Sequence, residues 1–134
     1  MFKNCNNTKR MGDIGEAKAV FEFVKEGFDV FLPVNEFQKA DLVVGYSNLL
    51  YSVQVKTTKT KGTSNKFVVQ LKTTGKNSSA ISISNREEGD YNFLFVLTDD
   101  GDWYLIPESI LPRTSVTMND TYNQFKNNFS AITN

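Results

Sequence analysis

The chain contains no histidine and a single cysteine, Cys5. Those absences exclude Cys/His zinc centres, Ser-His-Asp triads, Cys-His dyads and any intrachain disulfide, so carboxylates, amides and lysines must carry whatever catalysis occurs. No run approaches the ~20 apolar residues that span a bilayer. The opening MFKNCNNTKR also lacks the apolar core of a signal peptide. A cytoplasmic protein without a membrane partner is expected. No internal repeat or low-complexity tract interrupts the 134 residues, which predicts one domain over residues 1–134. A chain of that length buries roughly two-thirds of the surface exposed on unfolding, and needs no structural metal to fold.

Net charge is absent too, with 15 Lys+Arg against 15 Asp+Glu, but the zero is a cancellation. Lys56 to Arg86 holds seven basic residues, and no acid lies between Asp41 and Glu87. Glu87 to Glu108 holds seven acids and no base. A stretch of single positive sign in a neutral protein is the footprint expected for a phosphate backbone. A solvated lysine-rich strand and loop is the plainer explanation of the same residues.

In DIGEAKAVFEFVKEGF, Ile14, Ala17, Phe21, Val24 and Phe28 recur at alternating spacings of three and four. This predicts a helix from about Asp13 to Glu26 that buries that face. Asp13 would cap it, with Glu16 three residues on, and Gly27 suits its C-terminal turn. Short β-rich runs follow: DVFLPV, ADLVVGY, LLYSVQVKTT, KFVVQL, AISIS, YNFLFVLT and DWYLIP. The short Tyr46 to Asn48 link makes the second and third a hairpin, and Gly101 in LTDDGDW supplies another turn. A short helix is expected after Pro107, and a last one from Tyr122, Phe125 and Phe129. The outline is an α/β (α+β) domain, a leading helix followed by a mixed sheet with flanking helices.

Alternation along LLYSVQVKTT places Gln54 and Lys56 on one sheet face, with Tyr51, Val53, Val55 and Thr57 on the other. A solvent-facing strand explains that alternation by itself. Asp41, opening the neighbouring strand of the hairpin, comes into cross-strand reach of both. Glu16 joins them if the helix packs on this sheet.

The ordered set Glu16, Asp41, Gln54, Lys56 resembles the active-site pattern of the PD-(D/E)XK nuclease superfamily. GDIGEAKA resembles its leading helix, KADLVV its metal-binding aspartate and SVQVKTT its (E/Q)XK strand. DDGDWYLIP resembles the later hairpin of Holliday-junction resolvases and related members. Two departures stand out: Gln54 replaces an acidic residue, and no proline immediately precedes Asp41. The glutamine variant and the small size look most like the group I intron homing endonucleases of cyanobacteria and their phages. The resemblance implies a restriction-endonuclease-like core, a site-specific double-strand DNA endonuclease leaving 5′-phosphate and 3′-hydroxyl ends, and a homotetramer or homodimer. A Holliday-junction resolvase or other structure-specific nuclease of the same fold, and a catalytically inactive DNA-binding protein, are the alternatives.

The chemistry is coherent on these residues. Asp41, Glu16, the amide oxygen of Gln54 and a main-chain carbonyl, that of Val55, offer the hard oxygen ligands Mg²⁺ prefers, with Mn²⁺ as a substitute. Lys56 would either stabilise developing charge or orient and deprotonate the attacking water. No organic cofactor is expected. Lys59, Lys61, Lys66, Gln70, Lys72 and Lys76 are candidate DNA contacts, Gln70 and Lys72 alternating with Lys66 and Val68 on one strand. The apolar clusters around Phe93, Phe95, Trp103 and Tyr104, and along Tyr122, Phe125 and Phe129, are candidate subunit contacts, with the core as the alternative for each residue.

Overall fold

The computed structural model describes residues 1–35, 39–71, 73–76, 81–84 and 87–134, with backbone alone at 73–76 and 81–84. Its first element, α1, runs from Thr8 to Glu26. The predicted start at Asp13 is five residues late, because the Asn7 side chain accepts the Arg10 N–H at 2.8 Å and caps a first turn too polar to show periodicity. Gly27 ends the helix as expected. At φ 100° it allows Gly27 N–H to bond Val24 and Phe28 N–H to bond Phe23, both at 3.0 Å.

The predicted buried stripe is corrected in part: Phe28 is buried and Ile14 packs half-buried against the core as expected, but the middle of the stripe is not buried. α1 buries Met11, Gly15, Ala19 and Phe23, four residues apart, together with Glu22, whose carboxylate is clamped by Lys18 and Lys25 at 2.9 and 3.2 Å. Ala17, Phe21 and Val24 face outward, the last two more than half exposed. Small residues won the interface because the helix presses close to a strand. A Cβ on Gly15 would lie 2.5 Å from Thr57 Cγ2 and 3.2 Å from Val55 Cγ1.

The strands are β1 (Asp29–Phe31), β2 (Leu42–Tyr46), β3 (Leu49–Thr58), β4 (Val68–Gln70), β5 (Thr73–Lys76), β6 (Ile81–Ser84), β7 (Phe93–Thr98), β8 (Trp103–Pro107) and β9 (Ser115–Thr117). The main sheet has the order β1-β2-β3-β7-β8, antiparallel except for the parallel β3–β7 pair. β4 pairs with β9 and β5 with β6 in two-stranded sheets. The predicted β2–β3 hairpin forms, with Ser47 and Asn48 both at positive φ. Gly101, at φ 91°, makes the β7–β8 turn.

β7 is buried at every position, which suits a strand covered on both faces. Phe93, Phe95 and Leu97 join Phe23, Val53, Trp103 and Phe129 beneath α1. Leu94 and Val96 join Val69, Tyr104, Val116, Tyr122 and Phe125 on the opposite face. All seven aromatic residues weighed as subunit contacts are therefore core. A 3₁₀ helix over Glu108–Ile110 follows Pro107 as expected. The last stripe is not one helix: a 3₁₀ helix covers Asp120–Phe125, and the short α2 spans Ser130–Thr133. Among the described residues, no helix is long and apolar enough to cross a membrane.

Candidate active site

β2 and β3 part company at Asp41. Its N–H still donates to the Val53 carbonyl at 2.9 Å, but the ladder stops there, as β2 begins at Leu42. Val55, two residues further along β3, turns its N–H and C=O to the same side. Lys39 and Ala40, which precede Asp41, are not part of a strand. The Asp41 side chain fills half of that gap, its Oδ2 accepting the Val55 N–H at 2.7 Å. The Val55 carbonyl lies 3.4 Å from Gln54 Nε2, a long contact. A carboxylate and a main-chain carbonyl are thus left together where two strands splay.

Gln54 stands across from Asp41 and donates to the same Oδ2 at 2.9 Å. Among the described residues both bonds to the carboxylate fall on Oδ2, leaving Oδ1 without one. The amide nitrogen, rather than the expected oxygen, faces Asp41 and Val55. A half-turn of the terminal torsion exchanges the two. Lys56 shares the face of Gln54, in register with Val96 of β7, and is half-buried. Burial pulls its pKa down and Asp41 pushes back.

Gly15 allows α1 to approach β3 beside Val55 and Thr57, and Glu16 follows directly. Glu16 and Asp41 line one recess of about 460 Å³, with Leu32, Pro33, Val34, Asn35 and Ala40. Burial raises the pKa of Glu16, and the nearby Asp41 charge raises it further. Asp41 is raised by burial, against the Val55 N–H and Lys56, which lower it. Two carboxylates on one recess, each held above its ordinary value, form a place where a cation is favoured.

The structure thus brings Glu16, Asp41, Gln54, Val55 and Lys56 to one locality. The basic residues lie further out. At about 3.3 Å per strand residue, Lys59 is roughly 10 Å past Lys56. Lys61 and Lys66 flank a hairpin tip made by the Gly62 N–H to Lys66 O and Val68 N–H to Thr60 O bonds. Lys61 Nζ lies 5.0 Å from the Phe67 ring centroid, and Lys66 is 3.8 Å from Asp120. Gln70 is exposed on β4, but Lys66 precedes that strand, so the expected alternation of Lys66 and Val68 with Gln70 on one strand is not formed. Lys72 and the side chain of Lys76 lie outside the described residues. Residues 32–35 were missed as part of the site. DVFLPV reads as one strand, whereas β1 ends at Phe31 and the following residues wall the recess. Pro33 was the available signal, since proline interrupts a ladder.

A helix packed on a mixed sheet, with the recess where two strands diverge, is the restriction-endonuclease-like fold. Residues 6–132 match the model of the PD-(D/E)XK endonuclease family, and the chain belongs to that family. A solved structure of the same fold is that of a bacterial homing endonuclease, I-Ssp6803I, with a TM-score of 0.74 and 24% identity, covering 89% of this chain and 82% of that one. No curated protein sequence matches the chain.

The donor set fits a hard divalent cation. Asp41, Glu16 and the Val55 carbonyl supply oxygen, Gln54 supplies a fourth after its half-turn, and the two carboxylates repel in the absence of positive charge. Among the described residues there is no cluster of three or more His, Cys, Asp or Glu, so carbonyl, amide and substrate oxygens would complete the shell. Gln54→Glu puts a carboxylate against Asp41 in place of an amide donor. It is expected to lower Tm in EDTA, to gain more Tm from added Mg²⁺ than wild type does, and to keep partial activity. Gln54→Leu is expected to be inactive. An active Gln54→Leu, or a cation response in Gln54→Glu no larger than wild type, removes Gln54 from the cation shell.

Proposed function

We propose that the protein is a Mg²⁺-dependent, site-specific double-strand DNA endonuclease, with Mn²⁺ able to replace Mg²⁺. The observation that supports this reading is the splay at Asp41, where one carboxylate oxygen holds both the Val55 N–H and the Gln54 amide, the Val55 carbonyl lies beside that amide, and Glu16 lines the same recess as Asp41. A divalent ion there would supply Lewis-acid stabilisation of the phosphoryl oxygens and lower the pKa of a bound water. Asp41 and Glu16 hold the negative charge that attracts it. Gln54 holds Asp41 through its amide N–H in the metal-free site, would turn its amide oxygen to the ion, and by its neutrality leaves room for substrate charge. Lys56, partly desolvated by burial, either stabilises the charge building on phosphate or accepts a proton from the attacking water.

Lys59, Lys61, Lys66 and Gln70 are all exposed, and together with Lys72 and Lys76 would carry the duplex away from the cleavage point by neutralising phosphates. One recess per chain cuts one strand, so a double-strand break requires at least two copies; a homotetramer or homodimer in closed symmetry meets that need. The homing-endonuclease reading draws support from I-Ssp6803I, whose fold this chain shares.

The test is incubation of the full chain with Mg²⁺ and two substrates, a genomic duplex library and a synthetic four-way junction. Discrete fragments with 5′-phosphate ends from the library, and an intact junction, are expected. Sequence-independent cutting of the junction alone would assign the protein to junction resolution instead. Binding without cleavage of either substrate would leave only a DNA-binding role.

A further inference from the structure

Phe31, Leu32, Pro33 and Val34 form four consecutive exposed apolar residues, with Leu32 66% and Val34 fully exposed. Such a run on a folded surface is an error unless it has a use. This one is not placed at random. Leu32, Pro33 and Val34 wall the recess that holds Glu16 and Asp41, and they also line the adjoining cavity of about 520 Å³ together with Lys39, Ser52 and Asp90.

The segment is stiff as well as apolar. Pro33 fixes its own φ, and its ring confines Leu32 to extended backbone. Two apolar side chains therefore stand beside the recess at little further cost in conformational entropy. Phosphate recognition has no need of them. Apolar side chains beside a phosphate site do suit the edges and faces of bases, where wedges unstack a step and bend the duplex.

We infer that Leu32 and Val34 form a wedge that enters the base stack beside the phosphodiester bound at Asp41 and Glu16. The inference rests on the DNA-cleaving role proposed above. Geometry favours DNA over a second copy of this chain as the occupant. A phosphodiester seated at Asp41 and Glu16 lies in the recess that residues 32–35 line, whereas a protein seated on that lining would close the recess. The wedge also gives the site a means of reading sequence through deformability, because pyrimidine–purine steps unstack most readily.

Unwinding of plasmid DNA provides the test. The full chain is bound to closed circular plasmid in EDTA, which withholds the divalent ion. The plasmid is relaxed with a metal-independent topoisomerase, and topoisomers are resolved after the protein is removed. Wild type is expected to leave a negative shift in linking number that grows with protein added. Leu32→Ser/Val34→Ser is expected to lose that shift while binding the plasmid within about tenfold of wild type, since phosphate contacts dominate affinity. Val34→Ile, which keeps the apolar end, should retain it. Circular dichroism and sedimentation accompany each variant. A bound wild type that leaves linking number unchanged, or a double serine variant that shifts it equally, overturns the wedge and leaves the nuclease reading standing. A folded double variant of smaller assembly size than wild type assigns the two side chains to a contact between copies, and also overturns it. Failure of wild type to bind duplex in EDTA and in Mg²⁺ alike overturns both.

Discussion

Asp41→Asn is expected to abolish strand cleavage, to leave DNA affinity within about tenfold, and to raise the Tm of the metal-free protein at pH 7 by a few degrees. The loss of cleavage follows from removing the charge at the centre of the donor set. The gain in stability follows from linkage. Burial holds the Asp41 pKa above its ordinary value despite the Val55 N–H and Lys56. Between the unfolded and folded values the native state therefore binds more protons, and stability falls as pH rises through that window. Above that window the whole penalty is present. Asparagine removes it while its Oδ1 still accepts the Val55 N–H. Nuclease assays and thermal melts in EDTA check both halves, and a variant that cleaves normally or melts lower than wild type would place Asp41 outside the proposed role. Lys56→Ala should be equally inactive. Lys56→Arg separates the two roles of the lysine, since a guanidinium stabilises charge but does not accept a proton near neutral pH.

Gly15→Ala is the second substitution with a large expected effect, and its direction opposes helix propensity. Alanine in place of glycine within a helix ordinarily adds about 1 kcal/mol. Here the added methyl would sit 2.5 Å from Thr57 Cγ2 and 3.2 Å from Val55 Cγ1, and both of those side chains are stiff at χ1. Overpacking of this kind typically costs about 1–3 kcal/mol. Because Glu16 is the next residue, displacement of α1 moves it away from Asp41, and a misplacement on the order of 1 Å costs about 100-fold in rate. Gly15→Ala should therefore both lower the denaturation midpoint and depress cleavage, while Gly12→Ala, whose Cβ meets nothing within 4 Å, should stabilise. Equal stabilisation by both substitutions would refute close packing of α1 on β3.

The alternating pattern of LLYSVQVKTT and the turn at Ser47-Asn48 made the β2–β3 hairpin legible, because a period of two and a two-residue link are local properties. Gln54 and Lys56 fell on one face for the same reason. The α1 stripe was read correctly at Ile14 and Phe28 and misread at Ala17, Phe21 and Val24, because periodicity weighs hydrophobicity, whereas the interface selected for small size at Gly15 and Ala19. The Asn7 cap was hidden by a polar first turn. The extent of β1 was overestimated because Leu32 and Val34 look like strand residues, yet they wall a recess that exists only once α1 and β2 are in place.

By itself the sequence determined which residue types are available for chemistry: with no histidine and one cysteine these are carboxylates, amides and lysines, and the order of Glu16, Asp41, Gln54 and Lys56 along the chain carried the family resemblance. Tertiary structure alone decided that they converge. The parallel pairing of β3 with β7, the closeness of α1 at Gly15 and the parting of β2 from β3 at Asp41 are long-range outcomes of packing two cores on opposite faces of one sheet. The Val55 carbonyl is the sharpest case: every residue has one, and only the start of β2 at Leu42 leaves this one beside Gln54 and Asp41, because a main-chain group is free for chemistry only where the ladder that would otherwise consume it ends.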